Sequence, residues 1–178
     1  PMVAGQVLVK GDGSGTMSRE LVKRYRFATA TCMFVMQWSR PDIYNAVCSL
    51  ARHMNTPKET HMKALKTLVW YLVSTRNHGL VLAPNEIWGN RKQFKFEIWG
   101  RSDSDYATNP DDCRSVSGGR VFLNNAPVTF WSATQKFVTL SVTEAESAAG
   151  VMIAQDMLYI YRLLQSFGFC HRPVISPA

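Results

Sequence analysis

Between Arg40 and Gly79 apolar residues recur at helical spacing, and beyond Gly79 the spacing shortens to that of strands. Pro41-Asp42-Ile43 opens a run in which Ile43, Val47, Leu50 and Ala51 share one face, and Pro57 bounds it. Proline suits a first turn because the N–H it lacks would have no intrahelical acceptor there. A second helix starts near Lys58: Met62, Leu65, Val69 and Leu72 form one stripe, Lys58, Lys63 and Lys66 are left to water, and Gly79 follows its end. Upstream, Gly5, Gly11, Gly13 and Gly15 stand among Asp and Ser. That composition favours turns, buries little, and reads as a linker.

After Gly79, Leu80 to Leu82 is a short apolar run, and Phe94, Phe96 and Ile98 alternate with Lys95 and Glu97, which joins the two as strands through a hairpin over Asn85 to Gln93. Further strands are expected at Gly119 to Leu123, Pro127 to Ser132 and Phe137 to Leu140, with turns at Asn124-Asn125 and Ala133-Thr134. Thr143 to Phe167 then reads as one long helix closed by Gly168. Pro173 and the start of another strand, Val174-Ile175, follow. The sum is an antiparallel arrangement of short strands with helices before and after it.

Composition narrows this only a little. A chain of 178 residues with 46% hydrophobic content can bury one sizeable core with an appendage. The net charge of +7 comes from Lys and Arg scattered along the chain, which permits a polyanionic partner without naming it. Cys32, Cys48, Cys113 and Cys170 are far apart, so neither a zinc site nor a disulfide framework is signalled, and reduced thiols in a cytosolic or nuclear setting fit. The apolar runs are too short to span a bilayer and no secretory leader opens the chain. Both ends look cut from something longer.

The candidate chemistry lies in carboxylates. Asp103 and Asp105 stand two apart in Ser102-Asp103-Ser104-Asp105, so in an extended strand both leave the same face. A divalent cation would turn their repulsion into binding; the bland reading is a solvated turn. Glu146 shares a helix direction with Ala149, Gly150, Ile153, Met157, Ile160 and Leu164, whereas Glu144, Gln155 and Arg162 lie opposite. A carboxylate among apolar side chains needs a partner. That partner is either a metal at the sheet edge or the backbone of Thr143, since Thr143-x-x-Glu146 matches a capping box. Of the histidines, His53, His61, His78 and His171 are dispersed, and exposed helix faces would host His53 and His61. The tryptophans Trp38, Trp70, Trp88, Trp99 and Trp131 could stack bases, with core packing as their default role.

Several blocks carry a family likeness. Tyr44-Asn45-Ala46-Val47, Leu50-Ala51-Arg52-His53-Met54, Thr56-Pro57, His61-Met62-Lys63-Ala64 and Trp70-Tyr71-Leu72 resemble the segment that follows the polymerase in copia-type retrotransposon Pol polyproteins. Ser102-Asp103-Ser104-Asp105-Tyr106-Ala107, Arg114-Ser115-Val116-Ser117-Gly118, Ala126-Pro127-Val128 and Leu140-Ser141-Val142-Thr143-Glu144-Ala145-Glu146 resemble successive blocks of that family's ribonuclease H domain. The likeness runs from about Tyr25 to Gly168.

The resemblance implies an α/β (α+β) fold: a ribonuclease H-like mixed sheet with packed helices, here truncated, after a two-helix connection segment. It divides the chain into a flexible linker at 1–24, reverse transcriptase tail helices at 25–78 and a partial ribonuclease H-like domain at 79–178. The implied activity is hydrolysis of the RNA strand of RNA:DNA hybrids with two Mg2+ ions. Asp103 resembles the first catalytic Asp and Glu146 the catalytic Glu, with Asp105 a doubtful further ligand. The implied partners are the hybrid and the preceding reverse transcriptase domain, with no membrane. The implied setting is a cytoplasmic virus-like particle or the nucleus. Two departures stand out. The family's third Asp follows the long helix, yet here no Asp follows Asp156, and Asp156 itself is about 15 Å along the helix from Glu146. Gly119 also doubles a glycine where a bulkier residue is usual. The alternative is a catalytically inactive nucleic-acid-binding or tether module from a decayed element.

Overall fold

The computed structural model describes residues 8–9, 15–83, 96–108 and 112–169, which fall into two units, Pro1–Leu80 and Val81–Ala178, each with its own core.

The first unit is helical. Helix α1, Arg19–Trp38, is capped by Ser18, whose hydroxyl accepts from the Leu21 amide. It begins inside the stretch that reads as linker and adds a third helix to the two expected. Its buried stripe is narrow and half polar, Tyr25, Thr29, Cys32 and Met36, while Phe27, Phe34 and Trp38 on other faces are exposed. A 3-10 turn at Pro41–Ile43 leads into α2, Tyr44–Ala51, and α3 covers Glu59–Ser74. Ile43, Val47 and Leu50 are buried as expected. On α3 the buried stripe is His61, Ala64, Leu65 and Leu68, rotated by about one residue from the expected one, and Val69 is exposed.

Two polar devices tie these helices together. The Tyr25 hydroxyl donates to the Leu50 carbonyl at 2.8 Å inside the core, and burial pushes the phenol up to about 12. Arg40, itself buried, grips both oxygens of Asp42 through Nε and Nη2 at 2.9 and 2.8 Å. The same guanidinium donates to the carbonyl and hydroxyl of Thr75 at the end of α3. Tyr71 also donates to Asp42, at 2.8 Å. A bidentate pair of this kind fixes orientation as well as distance.

The exposed setting expected of His53 and His61 is overturned, although His61 is locally bonded. His53 and His61 are both buried and stack with ring centroids 4.0 Å apart. The Lys58 amide donates to His61 Nδ1 at 3.1 Å, so Nε2 carries the proton that faces the Val9 carbonyl, also at 3.1 Å. The ring nitrogens of His61 serve the helix start and the chain before it. Leu8 packs on the same core and Thr16 bridges to Lys58, so parts of the glycine-rich stretch are docked.

The second unit is a three-stranded antiparallel sheet with one helix on it. Strands β1, Ile98–Asp105, β2, Val116–Leu123, and β3, Ala126–Thr134, lie in the order β1-β2-β3. Asn124 and Asn125 both have positive φ, 48° and 69°, the geometry a two-residue hairpin needs to match strand twist. The parallel neighbour that a mixed sheet requires is not among the described residues.

Three strand expectations change. Leu80 to Leu82 is not a strand, Phe137 to Leu140 is a bend-rich connection, and Ala133-Thr134 continues β3 instead of turning. Phe94, the hairpin at Asn85 to Gln93 and the strand at Val174-Ile175 lie outside the described residues. Helix α4, Val142–Ser166, buries Ala145, Ala149, Ile153 and Ile160 against the sheet.

Two glycines set how closely α4 approaches. A Cβ on Gly100 would lie 2.8 Å from Ile153 Cγ1, and one on Gly119 would lie 2.5 Å from Trp131 Cζ2 and 2.9 Å from Ile153 Cδ1. Gly119, the departure from the family pattern, is thus the space into which the Trp131 indole fits. Trp131 Nε1 donates to Asp156 on α4 at 2.8 Å, which completes the lock.

Candidate carboxylate site

The site grows from the alternation of β1. Gly100 faces α4 and Ser104 is buried, so the even positions of β1 look toward the helix and the odd positions, Trp99, Arg101, Asp103 and Asp105, look away from it. Asp103 and Asp105 therefore share a face, as their spacing implies, and both are exposed.

Glu146 comes from the other side. It flanks the buried stripe of α4 and is half-buried. The two carboxylates meet at the outer edge of β1, which pairs with no strand among the described residues: the Ser104 amide donates to Asp103 Oδ1 at 3.0 Å and to Glu146 Oε1 at 3.3 Å. One N–H shared by two anions is a weak anchor for both, and it brings together the pair singled out in the sequence. The Asp105 side chain makes no hydrogen bond or ion pair among the described residues.

The capping alternative for Glu146 is overturned, because the helix starts earlier. Ser141 is the N-cap and accepts from the Glu144 amide at 3.1 Å, while Glu144 accepts from the Leu140 amide at 2.7 Å. Glu144, two residues upstream, does the capping, and Glu146 is left for the sheet edge.

Beneath the pair lies a buried polar layer that sequence reading missed. Gln135 donates through Nε2 to the Ser117 hydroxyl at 2.8 Å and to the Ala145 carbonyl at 3.0 Å, tying the sheet to the first turn of α4. The hydroxyls of Ser115 and Thr139 bond at 2.9 Å, and Ser115 accepts from the Ala107 amide just beyond β1. Ser104 Oγ and Gln135 Oε1 are buried without a partner. Serine and threonine in strands give no signal of burial by themselves, and here the neighbours Arg114, Val116 and Gly118 are half-buried, so the alternation around Ser115 and Ser117 is weak.

What the pair can hold follows from its donors. Magnesium keeps several waters and is satisfied by one or two carboxylates, so Asp103 and Glu146 fit one hydrated ion. Two ions need further ligands, and no group of three or more His, Cys, Asp or Glu that could hold a metal occurs among the described residues. Asp156 is engaged with Trp131. The thiols are apart: Cys32 is buried, Cys48 half-buried and Cys113 exposed, none of the three is in a disulfide among the described residues, and burial pushes the first two up. Cys170 and His171 lie outside the described residues.

The tryptophans divide. Trp38 and Trp70 are each 71% exposed, against the core default, Trp99 and Trp131 are half-buried in the sheet unit, and Trp88 lies outside the described residues. No described helix is long and apolar enough to cross a membrane.

Neither a family model nor a solved structure matches the chain. Among curated proteins it is 35% identical over 133 residues to the retrovirus-related Pol polyprotein from transposon RE1 of Arabidopsis thaliana, covering 75% of this chain and 8% of that one. It is 31% identical over 144 residues to the corresponding polyprotein from transposon TNT 1-94 of Nicotiana tabacum, covering 81% and 10%. It is also 32% identical over 136 residues to the secreted RxLR effector protein 161 of Plasmopara viticola, covering 76% of this chain and 90% of the effector. The chain thus spans at most about a tenth of the Pol polyproteins it resembles and most of the effector.

Proposed function

We propose that this chain, which belongs to the family shared by copia-type retrotransposon Pol polyproteins and the RxLR effector protein 161, is the stretch that joins reverse transcriptase to ribonuclease H, and that by itself it is a catalytically inactive module that binds nucleic acid and tethers the two activities. The observation that carries this is the half-built site: Asp103 and Glu146 converge on one amide, and no third ligand joins them among the described residues. The helices of the first unit supply the tether.

In this reading the second unit is a ribonuclease H-like sheet, and the free edge of β1 is where a further strand belongs, bringing the third Asp beside Asp103 and Glu146. Within the whole polyprotein the two carboxylates then help to hold the Mg2+ ions that serve cleavage of hybrid RNA, with the virus-like particle as setting. One metal site and two are different chemistries: the second ion stabilises the departing oxygen, and two carboxylates do not fix it.

The test is cleavage of a labelled RNA:DNA hybrid in magnesium by the 178-residue chain, by the same chain extended through the family's later Asp positions, and by Asp103→Asn forms of both. The short chain is expected to match its Asp103→Asn control, and the extended chain to cleave. Metal-dependent cleavage by the short chain that disappears in Asp103→Asn overturns the proposal.

A further inference from the structure

The face of the sheet turned away from α4 carries an arrangement that folding alone does not favour. In the β1–β2 register Arg101 lies directly opposite Arg120, and both side chains are on that face and exposed. Like charges directly across a strand pair destabilise it. Neither arginine has an anionic partner among the described residues; Arg101 lies over the Trp99 ring at 5.3 Å.

The neighbours of this pair are ordered. One step along the same face, Trp99 is opposite Phe122, and their rings stack in parallel at 4.0 Å with an interplanar angle of 8°. Phe130 of β3 stands beside Arg120. One step the other way, Asp103 is opposite Gly118, which adds no side chain to the path. Aromatic pair, cationic pair and carboxylate thus follow each other at intervals of about 7 Å, two residues of strand. No other described helix or strand of this unit lies on this face.

Resting on the reading of the chain as a nucleic-acid-binding module, we infer that this sheet face is a track for single-stranded nucleic acid, whose phosphates sit on Arg101 and Arg120 and whose bases stack on the Trp99–Phe122 pair and the Arg101 guanidinium plane. A polyanion removes the repulsion between the two arginines, which is why their juxtaposition persists. Aromatic rings and guanidinium planes accept any base, so the track is tolerant of sequence. An RNA:DNA duplex hides its bases and uses the phosphate contacts alone.

The experiment measures binding of a labelled single-stranded oligouridylate, and of an RNA:DNA hybrid of equal length, to the 178-residue chain across a salt series. The variants are R101Q/R120Q together, F122L, and K63Q/K66Q on α3 as a control. R101Q/R120Q is expected to weaken oligouridylate binding at least tenfold and to lower the salt slope by about 1.4, the loss of two single-strand phosphate contacts. F122L is expected to weaken oligouridylate more than hybrid, and K63Q/K66Q to leave oligouridylate affinity within twofold. The melting temperature of R101Q/R120Q is expected to hold or rise, which separates lost binding from lost folding. Oligouridylate affinity unchanged in R101Q/R120Q overturns the track, even where hybrid binding persists and the proposed function survives. Loss of oligouridylate binding in a chain extended past residue 178 also overturns it, by showing that a protein segment takes the face.

Discussion

Gly119 positions side chains it does not possess. The Trp131 ring occupies the volume of a Cβ at Gly119, and Ile153 closes it from α4, so a methyl group there has nowhere to go without moving an indole held by Asp156. Overpacking of this kind costs about 1–3 kcal/mol. Gly119→Ala is expected to lower the stability of the sheet unit by that amount in urea unfolding, and Gly118→Ala, where the nearest atom is 3.8 Å away, to cost clearly less. Equal effects at the two glycines would show that strand propensity, not the indole, sets the cost. This lock was not legible in the sequence, because the indole comes from the next strand. Asp103 and Glu146 were legible, since period 2 and period 3.6 each assign a face without knowledge of the other. The cap was misassigned for a local reason: Ser141-x-x-Glu144 and Thr143-x-x-Glu146 both satisfy the pattern, and only the helix start decides between them.

Elements were legible where one face is apolar and the other polar. The helices α2 and α4 meet that condition; α1 does not, because exposed Phe27, Phe34 and Trp38 blur its period while Thr29 occupies the core. Phe137 to Leu140 is aromatic, apolar and β-branched like a strand, yet its backbone is the connection into α4, where Phe137, Val138 and Leu140 are all exposed. Beside the apolar core, long-range polar contacts hold the helices of the first unit in register, Arg40 to Thr75 and Tyr71 to Asp42. The Arg40 guanidinium, aided by the Tyr71 hydroxyl, lowers Asp42 from 3.8 to about 2. Between those values the unfolded chain binds the proton and the folded chain does not, so this contribution to stability is complete above about pH 4 and is lost as pH falls through 2. Asp42 is 38% exposed, and solvent screens part of the effect. Acid unfolding of the helical unit followed by circular dichroism is expected to be less steep between pH 4 and 2 in Asp42→Asn, whose stability at neutral pH is also lower. An unchanged acid slope would remove Asp42 from the account.

At the scale of the whole molecule, charge and edges decide behaviour. In the proposed function, the net charge of +7 spread along the chain is expected to make binding of an RNA:DNA hybrid electrostatic and independent of sequence. Two phosphate contacts give a slope near −1.8 in log affinity against log salt, roughly a tenfold loss between 50 and 200 mM. A salt series by fluorescence anisotropy checks this, and an affinity indifferent to salt would exclude the electrostatic reading. The free edge of β1 has a consequence for solubility. An unpaired strand edge is a template on which a second copy can add. Here the outward amide of Ser104 is already engaged by two carboxylates, with Asp105 close by, so another copy presenting the same edge brings anion against anion. The carboxylates proposed for a cation therefore also oppose edge-to-edge addition of a second copy, and Asp103→Asn is expected to weaken that opposition as it removes one of the two carboxylates.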